Sequence, residues 1–314
     1  MKIFIAGASG AIGRHLVPQL VARGHAVVGS TRSAAKVDAL RALGAEPVVV
    51  DALDPDSVAG AVARAEPEVV VHQLTALSGP ADFRHVARMA AATDRLRTEG
   101  TDHLLAAARA IGARRVVAQS NAMWMERTGG PAADESVRIE PHPPADAARS
   151  VAALRHLEDA VTGIAWGAGI ALRYGGFYGP GTGISAEPDA VMAGYVRGRR
   201  FPIVGGGGGV WSLVHIVDAA SATVAAIERG TPGIYHVADD EPAPVRVFLP
   251  ELARALGAKP PRRVPAWLAR LVAGEGAVSL MTRARGISSG KIKKELGWTP
   301  RYPTWRTGFA EGLR

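Results

Sequence analysis

Lys2-Ile3-Phe4-Ile5-Ala6-Gly7-Ala8-Ser9-Gly10-Ala11-Ile12-Gly13 decides the fold. Residues 2–6 are an apolar, β-branched run, and they end abruptly in glycines. Ile12, Leu16, Leu20 and Val21 then recur at helical spacing until Gly24, and Ala26-Val27-Val28-Gly29 follows as a second strand. Strand, glycine turn, helix and strand at these distances make a βαβ unit. The glycines have separate tasks: Gly7 permits the tight turn, Gly10 lets backbone approach a pyrophosphate, and Gly13 lets helix pack closely on strand. The helix beginning with Ala11 and Ile12 points unpaired N–H groups and the positive end of its dipole at the phosphates, with Ser9 beside them. A dinucleotide is the expected ligand.

The end of the second strand selects which one. An Asp or Glu there would accept from the ribose hydroxyls of NAD and repel a 2′-phosphate. The chain instead reads Gly29-Ser30-Thr31-Arg32-Ser33, with Lys36 next and no acid. Arg32 meets a phosphate with paired donors, and Thr31 and Ser33 add hydroxyls. NADP(H) is therefore the expected cofactor. Further strands are expected at 47–50, 69–73, 115–119 and 169–173, and helices at 56–64, 82–110 and 146–162. This alternation gives an α/β fold, a doubly wound parallel (Rossmann) sheet. Ligands of such sheets lie beyond the carboxyl ends of the strands, which places Asp51, Leu74 and Thr75, and Ser120 and Asn121 toward the cofactor.

Composition narrows the rest. The 314 residues are 47% apolar and 21% charged, which is globular. No apolar run reaches the roughly 20 residues that cross a bilayer, and the chain enters its first strand without a secretory signal. With zero cysteines there is no disulfide, thiolate metal site or cysteine nucleophile. Nine histidines show no metal-ligand spacing, so no metal is expected. A cytoplasmic protein acting on a small molecule, with no membrane partner, fits these facts. The net charge of +8 belongs to the C-terminal sixth: residues 259–314 hold 12 Lys and Arg against 3 acids, leaving 25 bases and 26 acids, or −1, in residues 1–258. That distribution is a basic surface on one segment and not a nucleic-acid footprint.

These residues resemble the extended short-chain dehydrogenase/reductase superfamily, the NAD(P)-dependent epimerases and dehydratases. The resemblance rests on the 7–13 glycine motif, Val50-Asp51-Ala52, Val71-His72, Gly100-Thr101, Leu172-Arg173-Tyr174 with Tyr178-Gly179-Pro180-Gly181, Val214-His215-Ile216-Val217-Asp218 and Lys294-Glu295-Leu296-Gly297-Trp298-Thr299-Pro300. It implies an NADP-binding domain of residues 1–173 and 211–238, with Asp51 and Ala52 at the adenine, and a small C-terminal substrate-binding domain of 174–210 and 239–314. It also implies a homodimer built from two helices per copy.

The family's chemistry resembles a Ser/Thr, Tyr and Lys arrangement, with Tyr and Lys four apart on one helix. Here that motif is missing. Aligning Glu158 with the glutamate that follows the family's lysine puts Ser150 at the tyrosine position and Leu154 at the lysine position, and Asn121 falls where the Ser/Thr would be. No tyrosine precedes Tyr174. The expectation is an atypical oxidoreductase working without the standard acid. The alternatives are a non-redox step (epimerisation, dehydration, rearrangement) or a non-catalytic NADP(H)-sensing regulator. Substitute groups are Asn121 as a neutral donor, Ser150, and Tyr178, with Tyr174 and His156 behind them. Where nucleotide-sugar enzymes of the family carry an arginine seven residues before the aspartate matching Asp218, this chain has Trp211. With Trp124 it favours a hydrophobic or aromatic, polyketide-like substrate. Residues 125–145 read as a long loop with the character of a lid, and Gly205–Gly209 as a flexible run.

Overall fold

The structure, a computed structural model, describes residues 1–77 and 83–314. In chain order its elements are β1 (Lys2–Ala6), α1 (Ala11–Val21), β2 (Ala26–Thr31), α2 (Val37–Ala42), β3 (Glu46–Val49), α3 (Pro55–Ala65), β4 (Val69–His72), α4 (Phe83–Arg97), α5 (Glu99–Ala110), β5 (Arg115–Asn121), β6 (Ala132–Ala133), α6 (Ala148–Thr162), β7 (Ala168–Tyr174) and β8 (Gly176–Tyr178). Then come α7 (Val191–Arg197), β9 (Ile203–Val204), β10 (Val210–Trp211), β11 (Leu213–His215), α8 (Ile216–Arg229), β12 (Gly233–Val237), β13 (Ala243–Pro244), α9 (Val245–Ala255), β14 (Arg263–Val264), α10 (Ala266–Arg283), β15 (Gly286–Ile287), α11 (Gly290–Leu296) and α12 (Trp305–Glu311). Residue 82, the start of the expected 82–110 helix, lies outside the described residues. That helix is two, α4 and α5, because Thr98 leaves helical geometry (φ −98°, ψ −85°) and turns its hydroxyl back to the Asp94 carbonyl.

Seven strands form one sheet in the order β12-β7-β5-β4-β1-β2-β3. β1 pairs in parallel with β2 and β4, and β2 with β3 and β4 with β5 likewise. Ile3, Phe4 and Ile5 are all fully buried, as a central strand covered on both faces requires. The chain winds β1, β2, β3 to one side and then returns to place β4 beside β1. The switch point between β1 and β4 is where such a sheet opens a crevice for a ligand.

Two compact units result, Met1–Ser120 with Ala152–Leu172 and Ala220–Tyr235, and Asn121–Val151 with Arg173–Ala219 and His236–Arg314. In the first, α1 buries Ile12, Leu16, Val17 and Leu20 along one stripe. Pro55 opens α3, and the Asp54 carboxylate caps it by accepting from the N–H groups of Asp56 and Ser57. Phe4, Val28, Val70, Leu104, Val116, Leu157 and Val161 share its core.

The second unit has a core of Tyr178, Phe248, Trp305, Phe309 and Leu313. Its short strands pair as β6 with β15, β8 with β11, β9 with β14 and β10 with β13. Two sequence expectations change here. Residues 125–145 are no open loop: Met125 bridges Ile139, Glu140 donates its N–H to the Trp124 carbonyl, and Arg285 reaches the carbonyls of Thr128, Gly130 and Ala132. These bonds hold the segment down. Nor is the glycine run loose, since Gly209 donates to the Met281 carbonyl and an added Cβ there would sit 2.3 Å from the Leu280 oxygen. The glycines permit close approach of two backbones. The His215 and Asp218 motif anchors the C-terminal segment: His215 Nε2 bonds the Gly312 carbonyl, and Asp218 accepts from the N–H groups of Arg301 and Tyr302.

One buried acid in this unit carries a pH prediction. Asp239 is 2% exposed, its Oδ2 has no hydrogen-bond partner, and burial pushes its carboxyl up to about 8. The folded state therefore holds this proton between about pH 4 and 8 while the unfolded chain releases it, so stability falls as pH rises through that window. Asp239→Asn is expected to raise the unfolding temperature at pH 8 and flatten its dependence between pH 5 and 8. Parallel melting curves for the two proteins over that range would overturn this assignment.

Candidate active site

The glycine turn lies in the first unit, and its backbone allows close approach. Gly7 has a left-handed φ of +87°, and a Cβ there would lie 2.8 Å from the Gln73 carbonyl at the end of β4. A Cβ on Gly13 would lie 2.1 Å from the Ala8 carbonyl, so glycine lets α1 rest on the turn itself. Gly10 caps α1 with no side-chain bond, and no acid occupies the first turn. The amides of Ala11, Ile12 and Gly13 are left facing outward for an anion.

The side chains around it share the work differently than the sequence implies. Thr31, 4% exposed, accepts from the Ser9 hydroxyl at 3.0 Å and from the Ser33 N–H at 3.2 Å, so it braces the glycine turn against the end of β2 through both lone pairs of its oxygen. Arg32 is exposed and makes no ion pair among the described residues, which leaves its guanidinium for a ligand. Asp51 is exposed and accepts from the Leu53 N–H, while the Ala52 carbonyl is held by His103. Leu74 and Thr75 are half-buried after β4, and the Leu74 N–H donates to His72 Nδ1. This fixes the proton of His72 on Nε2, toward the Leu96 carbonyl and Thr101, and burial lowers its pKa to about 4. His72 is a neutral strut under the crevice.

Gln73 is the residue the sequence did not single out. It is 5% exposed, directly follows β4 at the switch point, and neither side-chain amide atom has a partner. A buried amide with both ends unsatisfied costs stability unless a ligand completes it. The glycine cradle, the outward amides and this orphaned group together fit a dinucleotide. Only its polarity inside an otherwise apolar strand end marked it in the sequence. Ser120, fully buried, spends its proton on Glu158 at 2.6 Å. Its hydroxyl can therefore only accept from a neighbour.

The proposed catalytic and substrate residues all fall in the second unit, and the structure separates them by role. Asn121 accepts the Met123 N–H on Oδ1, which leaves its NH2 as a donor. Ser150 is half-buried at the start of α6. Tyr178 is a correction. It is fully buried, its ring meets His215 and Phe309 edge-on, and its hydroxyl crowds the position where Gly308 lacks a Cβ. Burial also raises its pKa, so this phenol is core packing and no proton donor. Tyr174 is equally buried against Phe177, and His156 pairs with Asp102 in the first unit. Trp124 lies under the Arg127 guanidinium, 5.3 Å from it, and Arg127 donates to the Ser279 carbonyl. Trp211 donates its Nε1–H to the neighbouring Leu280 carbonyl and packs on Phe248. Trp211 thus leans on the second half of α10, and Trp124 is linked to it through Arg127. Among the described residues no three His, Asp or Glu side chains gather as a metal site, and no helix is long and apolar enough to cross a membrane.

The model of the NAD dependent epimerase/dehydratase family matches residues 3–238. The chain belongs to that family. Within it, the chain is 46% identical over 311 residues, 98% of this chain and 99% of the relative, to a 3-diazoavenalumate denitrifying reductase from a Streptomyces species. It is 30% identical over 269 residues, 82% of this chain and 76% of the relative, to the 2-alkyl-3-oxoalkanoate reductase of Stenotrophomonas maltophilia strain K279a. Among solved structures, the UDP-glucose 4-epimerase of Thermotoga maritima aligns with a TM-score of 0.75 at 21% identity, covering 100% of this chain and 97% of that one. Pal from Bacillus thuringiensis aligns at 0.77 and 20% identity, covering 100% and 98%. This epimerase/dehydratase family member is an enzyme of the reductase/epimerase type and an oxidoreductase of the extended short-chain class.

Proposed function

We propose that this enzyme is an NADP(H)-dependent reductase that places hydride on a carbon of a hydrophobic or aromatic substrate from which dinitrogen departs. One observation carries this reading: no tyrosine precedes Tyr174 and no lysine lies between Lys36 and Lys259, so α6 holds no phenol and ammonium pair. A ketone reduction builds negative charge on oxygen and needs a proton delivered to it. Hydride addition to a diazonium carbon does not. The new C–H bond takes the hydride pair, the C–N bond breaks with its electrons on nitrogen, and neutral N2 leaves, so no oxyanion forms and no acid is required. The name of the 46% identical relative, a denitrifying reductase of a diazo compound, supports this substrate class.

The nicotinamide, when bound, supplies the hydride. The residues of the chain bind and orient: the amides of Ala11–Gly13 take the pyrophosphate, Arg32 and Ser33 take the 2′-phosphate, and the Gln73 amide completes its bonds on the cofactor side of the switch point. Asn121 offers a neutral NH2 to the substrate, and the half-buried Trp211 offers an apolar face, whereas Trp124 is buried beneath Arg127 and is withdrawn from that role.

The test is an incubation with NADPH deuterated at C4, given an arenediazonium carboxylate and, separately, the matching aryl ketone. Deuterium at the carbon that lost nitrogen, with little ketone reduced, is the expected product pattern. Efficient ketone reduction beside an untouched diazonium compound would defeat the proposal.

A further inference from the structure

We infer that the first half of α10 seats this protein reversibly on an anionic lipid surface. Eight large hydrophobic residues are exposed among the described residues, and four of them fall in one six-residue window: Trp267 at 62%, Leu268 at 40%, Leu271 at 77% and Val272 at 77%. Their spacing (i, i+1, i+4, i+5) puts them on one face of the helix, while Ala269 on the other side is 8% exposed and faces the unit's own core. A cluster of this kind on a water-facing helix costs solubility unless something covers it.

The local architecture presents it outward. β14 pairs with β9 immediately before the helix and fixes where the helix starts. Gly274, at φ +84°, then breaks the helical path and ends the apolar face. Beyond the kink, the Asp146 carboxylate accepts from the Gly276 N–H at 3.0 Å and ties the second half of α10 down. The exposed half is a short platform on a fixed base.

Charge identifies the occupant. Residues 259–283 contain five bases (Lys259, Arg262, Arg263, Arg270, Arg283) and one acid, Glu275. Glu275 is shared by Arg270 and Arg283, and Lys259, Arg262 and Arg263 make no ion pair among the described residues. A second copy docked face to face would bring two such basic rims together, which like-charge repulsion opposes. An anionic bilayer surface satisfies both features, because tryptophan and leucine side chains enter the headgroup boundary while lysine and arginine stay among the phosphates. A surface-bound helix of this length contains no spanning segment, so the lack of an apolar run long enough to cross a bilayer does not bear on it. The inference stands apart from the proposed reaction.

The experiment is co-sedimentation of the full chain with phosphatidylcholine vesicles, with and without phosphatidylglycerol. Binding is expected only with phosphatidylglycerol, and it should fade as salt rises from about 0.1 M to about 1 M, where the screening length falls from roughly 10 Å to roughly 3 Å. Leu271→Ser/Val272→Ser should weaken it by about tenfold. Val49→Ser, which removes an exposed valine of the first unit, should leave it unchanged. Equal binding by the double variant, or no vesicle binding together with self-association that the double variant abolishes, would overturn the inference. A double variant that binds vesicles normally but shows a raised KM would overturn it too, by assigning the face to the substrate.

Discussion

Gly13→Val is expected to abolish measurable NADPH binding and to destabilise the protein by roughly 2–3 kcal/mol. The Cβ alone would stand 2.1 Å from the Ala8 carbonyl, a backbone atom in the turn that cannot swing aside like a side chain. Relief requires α1 to lift from the end of β1, and the lift would move the amides of Ala11 and Ile12 away from the phosphates proposed to bind there. The helix dipole acts on an anion only within its first turn, so a small displacement removes most of the attraction. Gly13→Ala separates the two effects, because alanine favours a helix interior over glycine and offsets part of the strain. Thermal unfolding and the quenching of protein fluorescence by NADPH read stability and binding independently. A Gly13→Ala protein that binds NADPH as the wild type does would show that the cradle is not where the pyrophosphate sits.

Arg32→Asp is expected to raise the Kd for NADPH by about 100-fold and to leave NADH binding unchanged or slightly tighter. A charge-assisted hydrogen bond contributes about 1.5–3 kcal/mol, and two donors from one guanidinium, discounted for an exposed site, give roughly 3 kcal/mol. The aspartate adds repulsion of the 2′-phosphate and provides the acceptor that ribose hydroxyls use. Arg32 is exposed and holds no structural bond among the described residues, so its replacement should not disturb the fold. Isothermal titration with both cofactors measures the exchange. Equal affinities of the wild type for NADH and NADPH would contradict the role given to Arg32.

The dinucleotide half of the protein is legible residue by residue because its requirements are local. Gly7, Gly10 and Gly13 answer to backbone conformation and to contacts within a few residues, and the buried strands show as continuous apolar runs. The expected strands at 47–50, 69–73, 115–119 and 169–173 appear as β3, β4, β5 and β7 with boundaries moved by one or two residues. Thr31 illustrates the limit. Its place at the end of β2 follows from the sequence, whereas its hydroxyl is engaged by Ser9, 22 positions away, and only the fold brings them together.

The remaining site depended on partners distant in the chain. Tyr178 has the right chemistry for a proton donor, and its sequence context says nothing against it. Phe309, Gly308 and His215 enclose it in a core assembled from three separated segments. Residues 125–145 have a loop's composition, and Arg285 and β15, about 150 positions later, hold them in place. The exposed apolar face of α10 was likewise invisible as a pattern, since Trp267, Leu268, Leu271 and Val272 read equally well as a buried stripe.

By itself the sequence determined the doubly wound sheet, the glycine turn that follows its first strand, and the lack of any tyrosine before Tyr174 or lysine between Lys36 and Lys259. Each of these is a property of residue type and short spacing. Tertiary structure alone decided which polar groups are spent and which are left over: Ser120 bound to Glu158, Tyr178 sealed in a core, Gln73 buried with nothing to bond, and one helical face left in water. Hydrogen-bond satisfaction and burial are sums over neighbours from the whole chain, so no local stretch contains them.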